Sequence, residues 1–568
     1  MNWNKFDWTR RRGSAVEVDL IEAYAQQRIS RRDFIRRGVI LGVSVPTMSA
    51  VIAACGSDSE DGSTANANGD SGTPATKGGD LTVAVQFGDA NSGLDPLNML
   101  DLGTYGVLSQ SFEYLVGLGP DGNIGPTALA TGWSPNEDGS VWTFELREGV
   151  KWQDGSDFTS ADVAATFDRM AKAGAGVAGV ISEGSTDSSD PLKAVVSLDS
   201  PNGNFPVLVS IFNPQSLITP ADYTDGTTLD ERKAGTGAWI LDSFDATTFT
   251  STFVPNPNWW GGAVLLDSIT FKGFESVGTS AAAMQARELD VIQSFNVIDG
   301  AALLNDSAFK LLKPPASNHR QLWFNTQEGQ YTDPRVRQAL AHTLNREQMV
   351  TTLFEGQGIV ANDHPVHPTL PFFDSSVLEQ RKPDIEKAKQ LLADAGFADG
   401  ITGDLQVGNL QEIPSMAAIV QQNAEAAGFN LSVNVTDNSD FYGAHWCPGG
   451  DEATKPCGPS SEVGIVDYGH RPTPDIFFGR ALATDGDWNS SNYASSEFDQ
   501  AFTEYQSSID VGGQTAAVSK IQQILHEDTP ACYAFFFDYL SGHDDSVSGV
   551  QVTALGHMQF QKASKAAE

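Results

Sequence analysis

Four cysteines carry the side chains best able to form covalent bonds, and each has different surroundings. Cys55 ends an uncharged run, Cys447 and Cys457 bracket the segment CPGGDEATKPC, and Cys532 lies in ACYAFFF. A thiol can be alkylated, oxidised to a disulfide or bound to a metal, whereas a thiol in apolar surroundings is usually buried and inert. We therefore predict a buried thiol for Cys532 and different chemistry for the other three cysteines.

The residues before Cys55 fit a lipid-attachment site. Ile52-Ala53-Ala54-Cys55 matches the lipobox, in which diacylglycerol alkylates the cysteine and cleavage makes that residue the first of the mature chain. Upstream, SRRDFI over residues 30–35 fits the twin-arginine export pattern, with Arg31 and Arg32 as its arginine pair. Two acyl chains hold a protein stably to a membrane, so lipidated Cys55 would anchor the chain.

The uncharged run over Gly38–Ala54 has a second interpretation, a permanent membrane anchor beside a chance arginine pair. Its 17 residues are about the lower limit for a bilayer-spanning helix, and Pro46 weakens such a helix. The order and spacing of the two motifs favour a twin-arginine lipoprotein signal peptide over residues 1–54. Residues 55–78 contain no large apolar side chain, which predicts a flexible tether.

Cys447 and Cys457 are predicted to form a disulfide, because disulfides persist outside the cytoplasm. The alternative is a zinc site, but only His445 lies nearby as a further ligand. The HPVH segment could also offer metal ligands, His364 and His367, although its proline indicates a surface loop and no third ligand is placed. We predict no metal site and no cofactor.

The sequence has none of the common hydrolase motifs, since neither G-x-S-x-G nor H-E-x-x-H occurs. We therefore predict no catalytic residues and treat a secreted hydrolase as the competing interpretation. Without residues 1–54 the chain carries 26 basic and 67 acidic residues, a formal charge of −41. Such a charge repels nucleic acid and anionic membrane surfaces. It fits a strongly solvated surface, with attraction of cationic ligands as the alternative.

Alternating and helical patterns predict an α/β chain whose first half is rich in strands. VWTFEL places Trp142, Phe144 and Leu146 on one face of a strand, and a capping box then opens a helix. After residue 330 the period becomes helical. A strand over 404–410, a helix over 415–427 and the strand NLSVNVT form a βαβ unit, which implies parallel strands.

Six sequence blocks in order resemble the extracellular solute-binding proteins, family 5, of peptide, nickel and related ABC importers. They comprise LATGWSPNEDGSVWTFELREGVKWQDGSDFTSADVAATFDR, GTGAWILDSF, VPNPNWWGG, ARELDVI, WFNTQEGQYTDPRVRQALAHTLNREQMV and DIEKAKQLLADAGF. The resemblance covers nearly all of residues 79–540. It implies a two-lobed α/β periplasmic-binding-protein-like fold (type II) with an extra β-rich subdomain in the first lobe.

The resemblance also implies boundaries for this fold. Lobe I is expected over residues 79–320, with the subdomain near 120–230, and lobe II over 321–529. Residues 530–568 are expected to return to lobe I. The implied function is capture of di- or oligopeptides in an interlobe cleft and delivery to an ABC permease with its ATPase. We expect a monomer at the extracytoplasmic face of the cell membrane, in the periplasm or on the cell surface. Alternatives are another small solute, such as an oligosaccharide or nickel chelate, or a sensory role.

The ligand residues implied by the resemblance lie in EVGIVDYGHRPTPDIFF, over 462–478. Asp467 matches the family aspartate that pairs with a peptide α-ammonium group, and Tyr468 follows it. The sequence departs from the family pattern W-x-x-D-x-x-D-P, because Gly464 replaces the tryptophan and extra residues precede Pro474-Asp475. The alternative role for Asp467 is capping of the turn at Tyr468-Gly469.

Three further side chains are candidates for contact with a ligand. Trp446 and Trp488 are predicted in loops and could stack on a side chain or sugar, whereas most other tryptophans fit core packing better. Arg471 could bind a ligand carboxylate with two hydrogen bonds, or could pair with a surface acid.

Overall fold

The structure is a computed structural model that describes residues 77–86, 93–97, 99, 101–119, 123–177, 179–370, 372–448 and 457–566. The predicted signal peptide with Arg31 and Arg32 lies outside these residues, as do Cys55 and all but the last two residues of the predicted tether. Within the described residues, no helix is long and apolar enough to cross a membrane.

In chain order the strands are β1 (Asp80–Gln86), β2 (Gly117–Leu118), β3 (Ile124–Gly125), β4 (Ala130–Pro135), β5 (Val141–Leu146), β6 (Thr186–Asp190), β7 (Lys193–Ser197), β8 (Trp239–Asp245), β9 (Thr250–Pro255), β10 (Ser268–Phe274), β11 (Val291–Phe295), β12 (Phe309–Leu312), β13 (Asn318–Phe324), β14 (Gly358–Val360), β15 (Ile401–Gly408), β16 (Phe429–Thr436), β17 (Val463–Tyr468), β18 (Ala531–Phe537), β19 (Leu540–Asp544), β20 (Val547–Ser548), β21 (Gln551–Val552), β22 (Met558–Gln559) and β23 (Ser564–Lys565).

The α-helices are α1 (Leu102–Ser111), α2 (Ser160–Ala173), α3 (Phe205–Leu208), α4 (Val277–Gln285), α5 (Ala301–Leu304), α6 (Pro334–Ala341), α7 (Arg346–Phe354), α8 (Ile385–Asp394), α9 (Ile413–Glu425), α10 (Asn438–Phe441), α11 (Ser496–Ser507) and α12 (Val511–Asp528). Short 3₁₀ turns occupy Pro214–Ser216 and Gln330–Thr332, and π-helical turns occupy Tyr442–Trp446 and Phe477–Leu482.

The chain divides into two compact units. The first runs through Pro314 and adds Ser507–Asp510 and Tyr539–Glu568, and the second comprises Pro315–Gln506 and Val511–Asp538. The family resemblance placed the return to the first lobe at residue 530. The return comes later in the structure because β18 pairs with β13 and β14 in the sheet of the second unit.

The first unit is built on a seven-stranded sheet in the order β12-β19-β11-β1-β10-β9-β8. A separate four-stranded sheet, β4-β5-β7-β6, lies within the region expected to form the β-rich subdomain. Trp142, Phe144 and Leu146 are all buried, which confirms the predicted apolar face of β5. Thr159 and Asp162 form the predicted capping box at the start of α2.

The second unit is built on a six-stranded sheet in the order β14-β18-β13-β17-β15-β16. β15 and β16 are parallel and are joined through α9, which confirms the predicted βαβ unit. Asp333 caps α6 and Pro334 is its first residue, as the sequence indicates. One apolar core packs around α6, α7 and α9, and a second cluster packs around Trp323, Tyr468 and Tyr533. Tyr442, Trp446 and Trp488 pack against this second cluster.

Candidate ligand-binding site

Strand β17 positions Asp467 near its carboxyl end. The strand pairs in antiparallel fashion with β13, and Asp467 lies directly opposite Arg320. Because side chains alternate along a strand, Asp467 shares a face with Ile465, whereas Tyr468 points to the opposite face. Asp467 is half-buried and Tyr468 is buried. The sheet therefore carries the carboxylate and the phenol at one strand end, on opposite faces.

Tyr442 fixes the Asp467 carboxylate in place. It begins the π-helical turn Tyr442–Trp446, and its hydroxyl donates a hydrogen bond to Asp467 Oδ1. Burial, followed by the charge of Asp467, raises the pKa of Tyr442 well above its ordinary value, so the phenol remains a donor. Within the described residues Asp467 forms no ion pair. The carboxylate therefore keeps the capacity to bind a cationic group.

Four aromatic side chains, here called the aromatic wall, lie in or against one apolar cluster, and the first of them contacts this carboxylate: Tyr442, Trp446, Tyr468 and Trp488. The ring centroids of Tyr442 and Trp446 are 5.3 Å apart in an edge-to-face arrangement, and those of Tyr468 and Trp488 are 6.0 Å apart. Tyr442, Trp446 and Trp488 are half-buried and pack on the apolar cluster that contains Tyr468. Rings of this kind can contact apolar side chains, sugars or cations.

Trp488 is held by a charged pair that the sequence analysis did not identify. The Arg480 guanidinium lies 3.6 Å from the centroid of the Trp488 ring. The same guanidinium binds the Asp487 carboxylate through Nε, at 2.8 Å, and through Nη2. Arg480 belongs to the second π-helical turn, Phe477–Leu482. No sequence pattern indicates this pair, because the backbone path of that turn determines whether Arg480 reaches Asp487 and Trp488.

Cys447 and Cys457 form a disulfide next to the aromatic wall, with their Cα atoms 4.8 Å apart. Cys447 directly follows the π-helical turn that carries Tyr442 and Trp446. The two sulfur atoms lie 3.1 and 3.3 Å from the carbonyl oxygen of Asp487. The disulfide thus joins the segment that carries Trp446 to the segment that precedes Trp488.

Trp323 explains why position 464 carries glycine. A Cβ atom added to Gly464 would lie 2.3 Å from Cη2 of Trp323, the residue opposite it on β13. Trp323 is fully buried and donates its indole hydrogen bond to Ser461 O at 3.2 Å. The departure from the family pattern therefore reflects occupation of that space by an indole from the neighbouring strand.

Arg471 has well-defined backbone contacts. Its amide donates to Ser317 Oγ at 2.9 Å, and its Nη1 donates to the carbonyl oxygen of His470 at 2.8 Å. Burial, with lesser contributions from the charges of His367 and Arg471, lowers the pKa of His470 to about 3, so this imidazole is neutral at physiological pH. A role of Arg471 in binding a ligand carboxylate stays a prediction.

The HPVH segment is buried, in contrast to the surface loop expected from its proline. His364 and His367 are 3% and 4% exposed. The His367 ring lies 4.9 Å from the Phe536 ring, and His364 Nε2 lies 3.3 Å from the amide nitrogen of Gln522. In the part of the chain that the structure describes, no group of three or more His, Cys, Asp or Glu side chains could hold a metal ion.

Comparisons with known proteins identify the class and then the family. The class is that of substrate-binding proteins, which capture solutes and are not enzymes. Within this class, the chain belongs to the bacterial extracellular solute-binding proteins, family 5. The model named "Bacterial extracellular solute-binding proteins, family 5 Middle" matches residues 126–454. Proteins of this family are extracytoplasmic, bind small ligands and work with ABC permeases.

Individual relatives are similar over most of the chain. The glutathione-binding protein GsiB of Salmonella paratyphi A is 24% identical over 484 residues, covering 84% of this chain and 92% of that protein. The structure of HbpA2 from Haemophilus parasuis has a TM-score of 0.73 at 22% identity, covering 86% and 100% of the two chains. DppA from Helicobacter pylori in complex with the peptide STSA has a TM-score of 0.65 at 22% identity, covering 86% and 99%.

Proposed function

We propose that this protein captures peptides through their α-ammonium group and delivers them to an ABC permease. The observation that carries the proposal is the Asp467 carboxylate: it is half-buried, held by Tyr442 and free of ion pairs among the described residues. A buried or half-buried carboxylate is most stable beside a cation. A primary ammonium supplies that charge and three hydrogen-bond donors.

The aromatic wall supports a peptide ligand by offering apolar contact next to the charged site. Trp446 and Trp488 are half-buried, so the protein does not fully enclose either residue. An aromatic or aliphatic side chain of a bound peptide would gain about 25 cal/mol for each Å² of apolar area that it buries there. Peptides with an apolar residue near the amino terminus are therefore the preferred ligand class.

Two of these relatives have ligands of related chemistry. One is named for binding glutathione and one contains a bound peptide. Peptides and glutathione both carry an α-ammonium group, which is the group proposed to contact Asp467. A neutral oligosaccharide is the second candidate ligand, because the aromatic wall could stack on a sugar ring without any contribution from the carboxylate.

The ligand class can be tested by calorimetry with matched compounds. A free-amine tripeptide, its N-acetylated form, glutathione and a neutral trisaccharide are titrated into the purified wild-type protein. We expect binding of the free-amine tripeptide and at least tenfold weaker binding of its acetylated form. Equal affinity for the two tripeptides would contradict the ammonium contact, and binding of the trisaccharide alone would favour the second candidate.

Anchoring by lipid at Cys55 and export through Arg31 and Arg32 complete the proposal. Replacement of both arginines by lysine is expected to leave unprocessed precursor inside the cell. Cys55→Ser is expected to abolish incorporation of labelled fatty acid, and continued labelling would contradict the lipid site. Neighbouring permease and ATPase genes would support transport, whereas a neighbouring membrane receptor gene would support a sensory role.

A further inference from the structure

We propose that Glu412 and Gln411 hold the Arg320 guanidinium away from Asp467, so that the Asp467 carboxylate stays available to a cationic group of a ligand. The inference rests on the proposed function of Asp467 as a cation-binding residue. It assigns Arg320 and Glu412 as positioning residues, which act on the ligand through Asp467.

The strand register makes Arg320 the natural ion-pair partner of Asp467. The two residues lie directly opposite each other on antiparallel strands β13 and β17. Residues in such positions project from the same face with Cβ atoms about 4.5–5.5 Å apart, and opposite charges there attract. An arginine side chain easily spans that separation. An internal salt bridge would be the expected result of this register alone.

The Arg320 guanidinium instead binds two residues at the start of α9. Its Nε lies 2.6 Å from Glu412 Oε1, and its Nη2 donates to Gln411 Oε1 at 2.8 Å. Its Cζ lies 4.7 Å from the centroid of the Phe537 ring, which covers the guanidinium. The Arg320 and Glu412 side chains are only 4% and 7% exposed. These contacts fix the guanidinium in one orientation.

Glu412 is a strong competitor for Arg320 because of its place in the chain. It is the residue that precedes α9, a helix of 13 residues, and the amino end of a helix favours a negative charge. Asp467 lacks this helix contribution and receives its hydrogen bond from a neutral phenol. Arg320 is therefore better satisfied at Glu412 than at Asp467.

The backbone of Gln411 is a second indication that the loop before α9 holds the Arg320 guanidinium. Its backbone has a positive φ of 47°, a conformation that residues other than glycine rarely adopt. Such backbone conformations persist where the surrounding structure stabilises them. Here the conformation accompanies the hydrogen bond from Arg320 to Gln411.

The consequence is a site with a net negative charge that selects cations. If Arg320 bound Asp467, the pair would be neutral and an incoming ammonium group would have to displace a guanidinium. The contacts of Glu412 remove that competition. Ligands without a positive group gain nothing from this arrangement.

Glu412→Gln is the first test, because it keeps the side-chain shape and removes the charge. A crystal structure of the unliganded variant is expected to show the Arg320 guanidinium within 4 Å of the Asp467 carboxylate. Calorimetry is expected to show about 10- to 100-fold weaker binding of a free-amine tripeptide. Glu425→Gln, the same change at the exposed opposite end of α9, is the matched control and is expected to bind like the wild type.

The double variant Arg320→Met/Glu412→Leu separates the electrostatic role from a structural one. Apolar replacement of a whole buried ion pair is often tolerated, and Asp467 then has no competing guanidinium. We expect this variant to bind the free-amine tripeptide within about threefold of the wild-type affinity. If the single variant does not fold, the tripeptide affinity of the double variant still tests the inference.

Two results would overturn the inference: an Arg320 that stays on residue 412 in the single variant, or a folded double variant that has lost affinity. Failure of the proposed function is distinguishable, because the wild-type protein would then show no preference for free-amine over acetylated tripeptides. In that case the crystal structure of the single variant still decides whether Glu412 withholds Arg320 from Asp467.

Discussion

Asp467→Asn is the most direct test of the candidate site, because it changes charge with little change in shape. Asparagine retains a side-chain oxygen that can accept the hydrogen bond from Tyr442. The aromatic wall is therefore expected to keep its arrangement. Any loss of affinity then reports the electrostatic attraction between Asp467 and the ligand.

The size of the expected loss follows from the surroundings of Asp467. Two unit charges 4 Å apart attract by about 4 kcal/mol at an effective dielectric constant of about 20, against about 1 kcal/mol in bulk water. The former value applies because Asp467 is half-buried and is hydrogen-bonded to Tyr442, whose ring packs on an apolar cluster. Desolvation of the ammonium group offsets part of it. A net loss of about 3 kcal/mol remains, which corresponds to roughly 150-fold in affinity.

The assay is calorimetry with a free-amine tripeptide, accompanied by thermal unfolding of the unliganded variant. We expect the affinity to fall by about two decades while the melting temperature stays within about 2 °C of the wild type. Asp440→Asn is the matched control, because Asp440 is an exposed acid two residues before Tyr442. Unchanged affinity in Asp467→Asn would refute the ammonium contact, and an equal loss in Asp440→Asn would indicate only a general charge effect.

Three further predictions concern the support of the site and the stability of the second unit. Tyr442→Phe removes the hydrogen bond to Asp467 and should weaken tripeptide binding by about 5- to 10-fold in calorimetry; stronger binding would contradict a positioning role. Replacing Cys447 and Cys457 by alanine should lower the free energy of unfolding by about 2–3 kcal/mol in urea titrations, and peptide mapping without reductant should recover the native pair as one linked fragment. Burial opposes the charge on Asp363, but its two arginine partners lower its pKa below 3.8, so its stabilising contribution should be present near neutral pH and lost as the pH falls through that lowered pKa. The difference in unfolding free energy between the wild type and Asp363→Asn should therefore narrow from pH 7 to pH 2.5, and a constant difference would contradict this.

Much of the second unit could be predicted because its signals are local. The capping residues of α6 and the βαβ unit around α9 depend on residues within a few turns of one another. The family pattern also made Asp467 a candidate ligand residue from the sequence, and its role in binding a ligand stays a prediction. The strand Ala531–Phe537 was assigned to the wrong side of the boundary, because only its pairing with β13 and β14 shows which sheet it joins.

The supporting contacts of the site could not be predicted because they are non-local or depend on irregular backbone. Arg320 and Glu412 are 92 residues apart in the chain, and only the register of β13 and the start of α9 bring them together. Tyr442 lies four residues before Trp446, a spacing that suggests a shared helix face, but the π-helical turn determines where each ring points. The sequence shows that position 464 is glycine. It does not show the reason, because Trp323, which fills the space of a side chain there, lies on another strand.

The last strands of the chain have a consequence for synthesis on the ribosome. β19 (Leu540–Asp544) lies between β12 and β11 in the sheet of the first unit, although those strands were made more than 200 residues earlier. That sheet therefore lacks the strand between β12 and β11 until residues 540–544 have been translated, whereas the sheet of the second unit is complete once Phe537 has emerged. The first unit is synthesised first, but its sheet is the last of the two to be completed. Until then its unpaired strand edges are exposed, and a chaperone would protect the nascent protein there.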